Sequence, residues 1–309
     1  MTKNERLDSS YELGPMIGRG TYSEVILAKR KSAEEILGAD LTTLERSSSS
    51  LSTASSPSTM SSTDSSPDVV AIKRISKSRL ITHEERLMPQ REIEVHETIG
   101  RHPNAVYMID SYEDDNNVFL VLEMVDGGTL EDKLKRNPLG LPCEQARNII
   151  QQLLLGVKHL HEHSLVHVDI SPKNILIHEK TGAVKLCDFG MTQVSRSSSL
   201  SQLDLLSSSE SSAATDGGVY GTQGYAAPEV GTGLAIDEKA DMWSIGMVCY
   251  ELLTGLSPCA ILSNGDITFS EELWKDKSEA SRAFTEALLK VNSTERLSIE
   301  DALAHPWFK

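Results

Sequence analysis

Cysteine is scarce in this 309-residue chain and is not spaced for structural use. Cys143, Cys187, Cys249 and Cys259 form no CxxC pair, and the nine histidines do not fall at zinc spacings. That excludes a zinc ribbon and a disulfide scaffold, and it fits reduced thiols in a reducing compartment. Long apolar runs are missing too, so no membrane span is expected. The opening MTKNERLDSS lacks an apolar stretch, which argues against a secretory signal. Positive charge is in deficit: 30 Lys and Arg stand against 45 Asp and Glu, a net charge of -15. Neither nucleic acid nor a membrane is then expected as a partner, whereas basic substrates stay open. A soluble intracellular enzyme or binding domain remains, cytoplasmic by expectation, with the nucleus open.

What is present suffices for a core. Hydrophobic residues make up 39% and charged residues 24%, enough for one large domain or two ordinary ones. Aromatics are only 5%, diluted by two Ser-rich tracts. The first, Ser47–Ser66, holds 12 Ser and three Thr in 20 residues, and the second, Ser195–Ser212, holds ten Ser in 18. Such tracts bury too little apolar surface to offset their ordering entropy, so they are expected to be disordered. They read as neutral low-complexity inserts or as clustered phosphorylation regions, Ser56-Pro57 and Ser66-Pro67 suiting proline-directed kinases.

Periodicity organises the rest. Residues 1–10 are polar and expected to fray. Residues 11–29 alternate through Tyr11, Leu13, Met16, Val25 and Leu27, two strands about a Gly-rich turn. Val69–Ile75 and Val118–Met124 read as short buried strands, residues 84–99 as a helix. In 144–162, Ala146, Ile149, Ile150, Leu153, Leu154, Val157 and Leu160 recur at helical spacing. Helical patterns dominate from Asp237 onward. Strands early and helices late predict an α+β fold.

Four stretches carry chemistry. In Gly18-Arg19-Gly20-Thr21-Tyr22-Ser23 the glycines let backbone N–H groups approach phosphate oxygens, although the same pattern also makes a plain turn. Lys73, inside an apolar strand, must either snorkel or meet an anion and a carboxylate, for which Glu92 is available. Asp169 and Asn174 share one short loop, and Asp188 follows in Cys187-Asp188-Phe189-Gly190. Two acids and an amide can hold Mg²⁺ through oxygen while one carboxylate serves as a base. Gly221–Val230 (GTQGYAAPEV) and Arg296 complete the series.

In this order and spacing the motifs resemble those of eukaryotic-type protein kinases, over about residues 11–308. HPN at His102–Asn104 and the terminal HPWF look most like the calcium/calmodulin-dependent kinase group. The resemblance implies a bilobal fold: a small β-rich N-lobe of about 11–124 with one main helix and an insert at about 40–67, then a larger, mostly helical C-lobe of about 125–308 with an activation-segment insert at about 195–216. Residues 1–10 would be an extension. It implies ATP and Mg²⁺ as cofactors and protein substrates with Ser/Thr hydroxyls. No calmodulin-binding segment follows Lys309, so calmodulin is not expected as a partner within this chain. Gly18 and Gly20 would cover the phosphates. Lys73 would hold the α- and β-phosphates and pair with Glu92, with Glu94 as runner-up. Leu122 would be the gatekeeper and Glu123 to Val125 the adenine hinge, with Val25, Ala71 and Leu176 around the base. Asp169 would accept the substrate proton, and Asn174 and Asp188 would bind metal. Glu229 would pair with Arg296, and Asp241 would anchor the catalytic loop.

Three departures set the chain apart. Val168 stands where the family carries Arg before the catalytic Asp, which removes a bidentate partner for an activation-loop phosphate. Ser171 replaces the usual Lys, and Lys173, two residues on, can supply the missing cation, as an Arg does in many tyrosine kinases. Lys173 also replaces an acid that recognises basic substrates. His96 occupies a normally apolar position one turn after Glu92. These departures keep a second reading open, a nucleotide-binding pseudokinase scaffold without useful turnover; the complete set Lys73, Asp169, Asn174 and Asp188 favours an active Ser/Thr kinase.

Overall fold

The fold was analysed in a computed structural model, which describes residues 3–32, 68–195, 221–232, 236–258 and 267–309. Most of both Ser-rich tracts lies outside the described residues. The chain divides into two compact units.

Unit one comprises Met1–Arg86 and Met108–Met124. Its sheet has strands β1 (Tyr11–Arg19), β2 (Ser23–Arg30), β3 (Val69–Ser76), β4 (Met108–Glu113) and β5 (Asn117–Glu123), in the order β1-β2-β3-β5-β4 with every neighbour antiparallel. Alternation of side chains sorts the strands into two faces. Ala28, Val70, Ile72, Phe119 and Val121 gather on one of them with Leu7 and Tyr11. Leu7 belongs to helix α1 (Lys3–Ser10) and is buried. The N-terminal residues expected to fray are therefore a helix: one leucine per two turns gives almost no periodic signal, but it seals the apolar face of the sheet. β4 carries little alternation and was not legible in sequence.

Unit two comprises Leu87–Tyr107 and Val125–Lys309. Helix α2 (His83–Ile99) falls to it from Leu87 onward, because Val95 and Ile99 join its hydrophobic core. Helix α3 (Leu130–Arg136) begins with a capping box in which Thr129 and Asp132 satisfy each other's backbone N–H groups. Helix α4 (Cys143–Glu162) turns Ile150, Leu153, Leu154, Val157 and Leu160 inward. At Gly156 a Cβ would come within 2.5 Å of the Asn104 carbonyl oxygen, so only glycine lets the HPN turn lie against this helix. Asn104 then donates to the Val184 carbonyl at 2.9 Å. Short strands follow: β6 (Leu165–Val166), β7 (Ile175–Ile177), β8 (Val184–Leu186) and β9 (Gln193–Val194), paired β6 with β9 and β7 with β8.

Helix α5 (Lys239–Thr254) is apolar on nearly every side and buried almost throughout. It ends where Gly255 takes a left-handed turn, φ 75°. Against it pack α6 (Glu271–Trp274), through Trp274 on Tyr250, and α7 (Glu279–Leu288), whereas α8 (Ile299–Leu303) packs on α4. A β-rich first unit and a helical second unit agree with the α+β, bilobal expectation. Among the described residues no helix is long and apolar enough to cross a membrane.

Candidate active site

In unit one the strand register aligns five expected site residues. Gly18 pairs with Val25, Val25 with Lys73, and Ala71 with Leu122. Because paired residues and every second residue share a face, Val25, Ala71, Lys73 and Leu122 line the side of the sheet opposite the Leu7 cluster. Lys73 is only 9% exposed, the burial that a functional lysine in an apolar strand requires. The Gly20 N–H donates to the Ser23 carbonyl at 2.8 Å and closes the Gly-rich turn. Glu123 ends β5.

In unit two the loop after β6 carries the acid. Asp241, fully buried in the first turn of α5, accepts from the N–H groups of His167 and Val168 and from His161 Nε2, each at 2.9 Å. Burial alone would raise the Asp241 pKa, but the His161 hydrogen bond and the flanking histidines outweigh it and hold the carboxyl below its usual range. This anchor keeps Val168 at φ 70°, a left-handed conformation that costs a β-branched residue ~1–3 kcal/mol. Its side chain is buried in the core, so no cation projects from that position.

Asp169, the next residue, is 6% exposed and each carboxylate oxygen is engaged. Oδ2 accepts from Asn174 Nδ2 at 2.8 Å and lies 3.4 Å from Lys173 Nζ. Oδ1 accepts from the Thr222 N–H at 2.6 Å and from Thr222 Oγ1 at 2.5 Å. Thr222 Oγ1 also lies 3.2 Å from Ser171 Oγ, so the residue replacing the family's lysine takes part in the same network. Gly221 makes the approach possible. Its φ is 81°, and a Cβ would sit 3.0 Å from the Val168 carbonyl oxygen.

The β7–β8 hairpin brings the remaining oxygen donors together. Ile175 pairs with Leu186, and the Cys187 N–H donates to the Asn174 carbonyl at 3.0 Å. Asp188 follows directly, with φ 66°. Gly190 borders both Asp188 and Glu92: a Cβ there would lie 3.6 Å from Asp188 Oδ1 and 3.7 Å from Glu92 Oε2. Glu92 itself is 2% exposed. Asn174 Nδ2 is committed to the Asp169 carbonyl and carboxylate, which leaves the amide oxygen as the atom of Asn174 able to ligate a cation. An amide oxygen and a carboxylate so placed fit a hard cation such as Mg²⁺. Leu176 pairs with Lys185 and bridges to Thr129, and Val125 is buried.

Two supports complete the unit. Arg296 Nη1 and Nη2 donate to the Glu229 carboxylate at 2.7 and 3.1 Å, a fork over 67 residues of sequence. His96 packs edge-on against Phe189 at 4.9 Å, and Phe189 against His167 at 5.5 Å. Sequence reasoning did not assign Thr222 and Ser171 to the Asp169 network. The GT of the GTQGYAAPE stretch was the available signal for the first; nothing local marks the second.

A hard-oxygen cluster with a buried base in one unit, and a Gly-rich hairpin with a buried strand lysine in the other, are the equipment of a phosphoryl-transfer protein. The protein kinase domain family matches residues 54–308, and this chain belongs to it. The match starts inside the first Ser-rich tract, so β1 and β2 precede it. Longer alignments include them. The calcium and calcium/calmodulin-dependent serine/threonine-protein kinase of Lotus japonicus is 29% identical over 320 residues, covering 99% of this chain and 57% of that protein. The calcium/calmodulin-dependent protein kinase type 1 of Macrobrachium nipponense is 32% identical over 77% of this chain and 67% of that protein. The smooth-muscle myosin light chain kinase of Gallus gallus is 33% identical over 67% of this chain and 11% of that protein. The chain thus spans little more than half the length of the first of these relatives.

Proposed function

We propose that the chain transfers the γ-phosphate of ATP to serine or threonine hydroxyls of protein substrates. The observation that carries the reading is the Asp169 carboxylate, held by Asn174, Lys173 and Thr222 in a buried loop. Such a carboxylate is aimed before substrate arrives, which is the main contribution a protein makes to phosphoryl transfer.

Gly18 and Gly20 would cover the phosphates, and Lys73 would hold the α- and β-phosphates with Glu92 as its carboxylate partner. Val25, Ala71 and Leu176 would enclose the adenine, with Glu123 and Val125 hydrogen-bonding its edge. Asn174 and Asp188 would hold Mg²⁺, which when bound neutralises phosphate charge. Asp169 orients the substrate hydroxyl and accepts its proton as the hydroxyl oxygen bonds to the γ-phosphorus. The bond from that phosphorus to the bridging oxygen breaks, and ADP leaves with the electron pair. Lys173, half exposed beside Asp169, places a cation next to the transferring group where the family's usual lysine is replaced by Ser171.

Turnover of Mg²⁺-ATP on a mixture of proteins and peptides tests the reading, with Asp188→Ala as the control and phosphoamino-acid analysis of the product. Phosphoserine or phosphothreonine that disappears in the control is the expected result. Nucleotide binding without any phosphorylated product would point to the scaffold instead.

A further inference from the structure

A second charged constellation lies in unit one, on the sheet face opposite Lys73. Glu24 on β2 pairs in register with Arg19 on β1 and with Arg74 on β3, so the three form a row across adjacent strands. Arg74 Nη2 lies 2.5 Å from Glu24 Oε2. Arg19 Nη2 and Arg79 Nη2 each lie 3.5 Å from Oε1. Three guanidinium groups therefore converge on one carboxylate, a local surplus of two positive charges in a chain whose net charge is -15. Among the described residues Glu24 is the sole ion-pair partner of all three arginines, while the neighbouring Lys77 is already matched by Glu113 at 2.8 Å.

Exposure separates the two signs. The Glu24 side chain is 16% exposed, whereas those of Arg19, Arg74 and Arg79 are 63%, 41% and 37% exposed. The carboxylate forms the floor and the guanidinium groups form a rim with donors left over. Each guanidinium has five N–H donors in a planar fork, and one carboxylate cannot take them all. A phosphate dianion supplies both the missing charge and the acceptors, and it matches the fork geometry.

We propose that Arg19, Arg74 and Arg79 form a docking site for a phosphoserine or phosphothreonine side chain, outside the phosphoryl-transfer site. The phosphate group has two possible sources with the same chemistry. One is the chain's own Ser47–Ser66 tract, which in sequence joins β2 to β3, the strands that carry Glu24 and Arg74; tethering at both ends would raise its effective concentration. The other is a separate phosphoprotein. Binding at this row would bear on Val25 and Lys73 through the same strands, since each is the immediate neighbour of a member of the row.

The test uses the full chain after phosphatase treatment. A peptide with a single phosphoserine among serines and glycines, its unphosphorylated counterpart and inorganic phosphate are titrated calorimetrically at several salt concentrations. The phosphopeptide is expected to bind and its counterpart not, with affinity falling as salt rises. Arg74→Gln and Arg79→Gln should each weaken binding about tenfold, the loss of one charge-assisted contact. Glu24→Gln should tighten it several-fold by removing the competing carboxylate, a gain that misfolding cannot imitate. Equal affinity for the two peptides, no binding of either, or a dissociation constant unmoved by Glu24→Gln and Arg79→Gln would overturn the proposal. A chain phosphorylated within Ser47–Ser66 that no longer takes up the phosphopeptide assigns the site to the chain's own tract. A chain so phosphorylated that still binds it assigns the site to another protein.

Discussion

The Tyr22 hydroxyl donates to the Glu85 carboxylate at 2.6 Å and ties the Gly-rich turn to the first turn of α2. The Ile81 and Thr82 N–H groups donate to the other oxygen at 2.7 and 2.9 Å. The Tyr22 hydrogen bond first, and then these backbone donors, lower the Glu85 pKa to about 2. A depressed carboxylate stabilises the fold above its ordinary value of 4.5, and that contribution is lost as pH falls from there toward about 2. Replacing Tyr22 by Phe should move the Glu85 titration back toward 4.5, read by NMR of the side-chain carboxyl. An unmoved titration would show that the hydroxyl does not hold the turn.

Arg296 is enclosed within unit two: its side chain is 0% exposed, against 21% for Glu229. Beyond the carboxylate it donates to the Lys239, Lys290 and Val291 carbonyls. Arg296→Ala strands all these acceptors and should cost ~3–5 kcal/mol, measured by denaturant unfolding. Glu229→Ala leaves the guanidinium its carbonyl partners, so its cost should be smaller. The reverse ranking would refute this division of roles.

Lys173 lies 3.4 Å from Asp169, close enough to share an anion with the loop. If it supplies the charge that Ser171 cannot, Lys173→Ala should lower kcat about 10²-fold, with a far smaller change in KM for ATP. A kcat within about twofold of the parent would remove Lys173 from the mechanism.

Burial pushes the Cys249 thiol up to about 12 from an ordinary 9.0, although its contact with Thr285 pulls the other way. An acid with a raised pKa destabilises the fold as pH climbs above the unfolded value, because only the unfolded chain then releases the proton. Stability should therefore decline from about pH 9 upward, and iodoacetamide at pH 8 should modify Cys143 or Cys187 while sparing Cys249. Mass spectrometry that found Cys249 alkylated in the native protein would contradict its enclosure.

Local pattern carried the sequence reading far. The seven-membered apolar set of 144–162 became α4, and the apolar runs around Lys73 and Leu122 became β3 and β5 within a residue or two. Signals that depend on distant packing were weak. Leu7 fixes α1 through one buried side chain, and β4 depends on its partner β5 more than on its own alternation. The β7–β8 and β6–β9 pairs are two or three residues long, too short for a period to show.

By itself, the sequence determined which chemical groups this protein owns and the order in which they occur. Glycines at 18 and 20, a lysine in an apolar strand, and an acid, an amide and a second acid in two adjacent loops follow from residue type and short spacing, where chain connectivity fixes the distances. Only the tertiary structure decided which groups meet across long separations. Thr222 closes on Asp169 from 53 residues away, Asp241 grips Val168 from 73, and Arg74 reaches Glu24 from 50. Those meetings depend on strand register and helix packing, in which a shift of one residue sends a side chain to the opposite face.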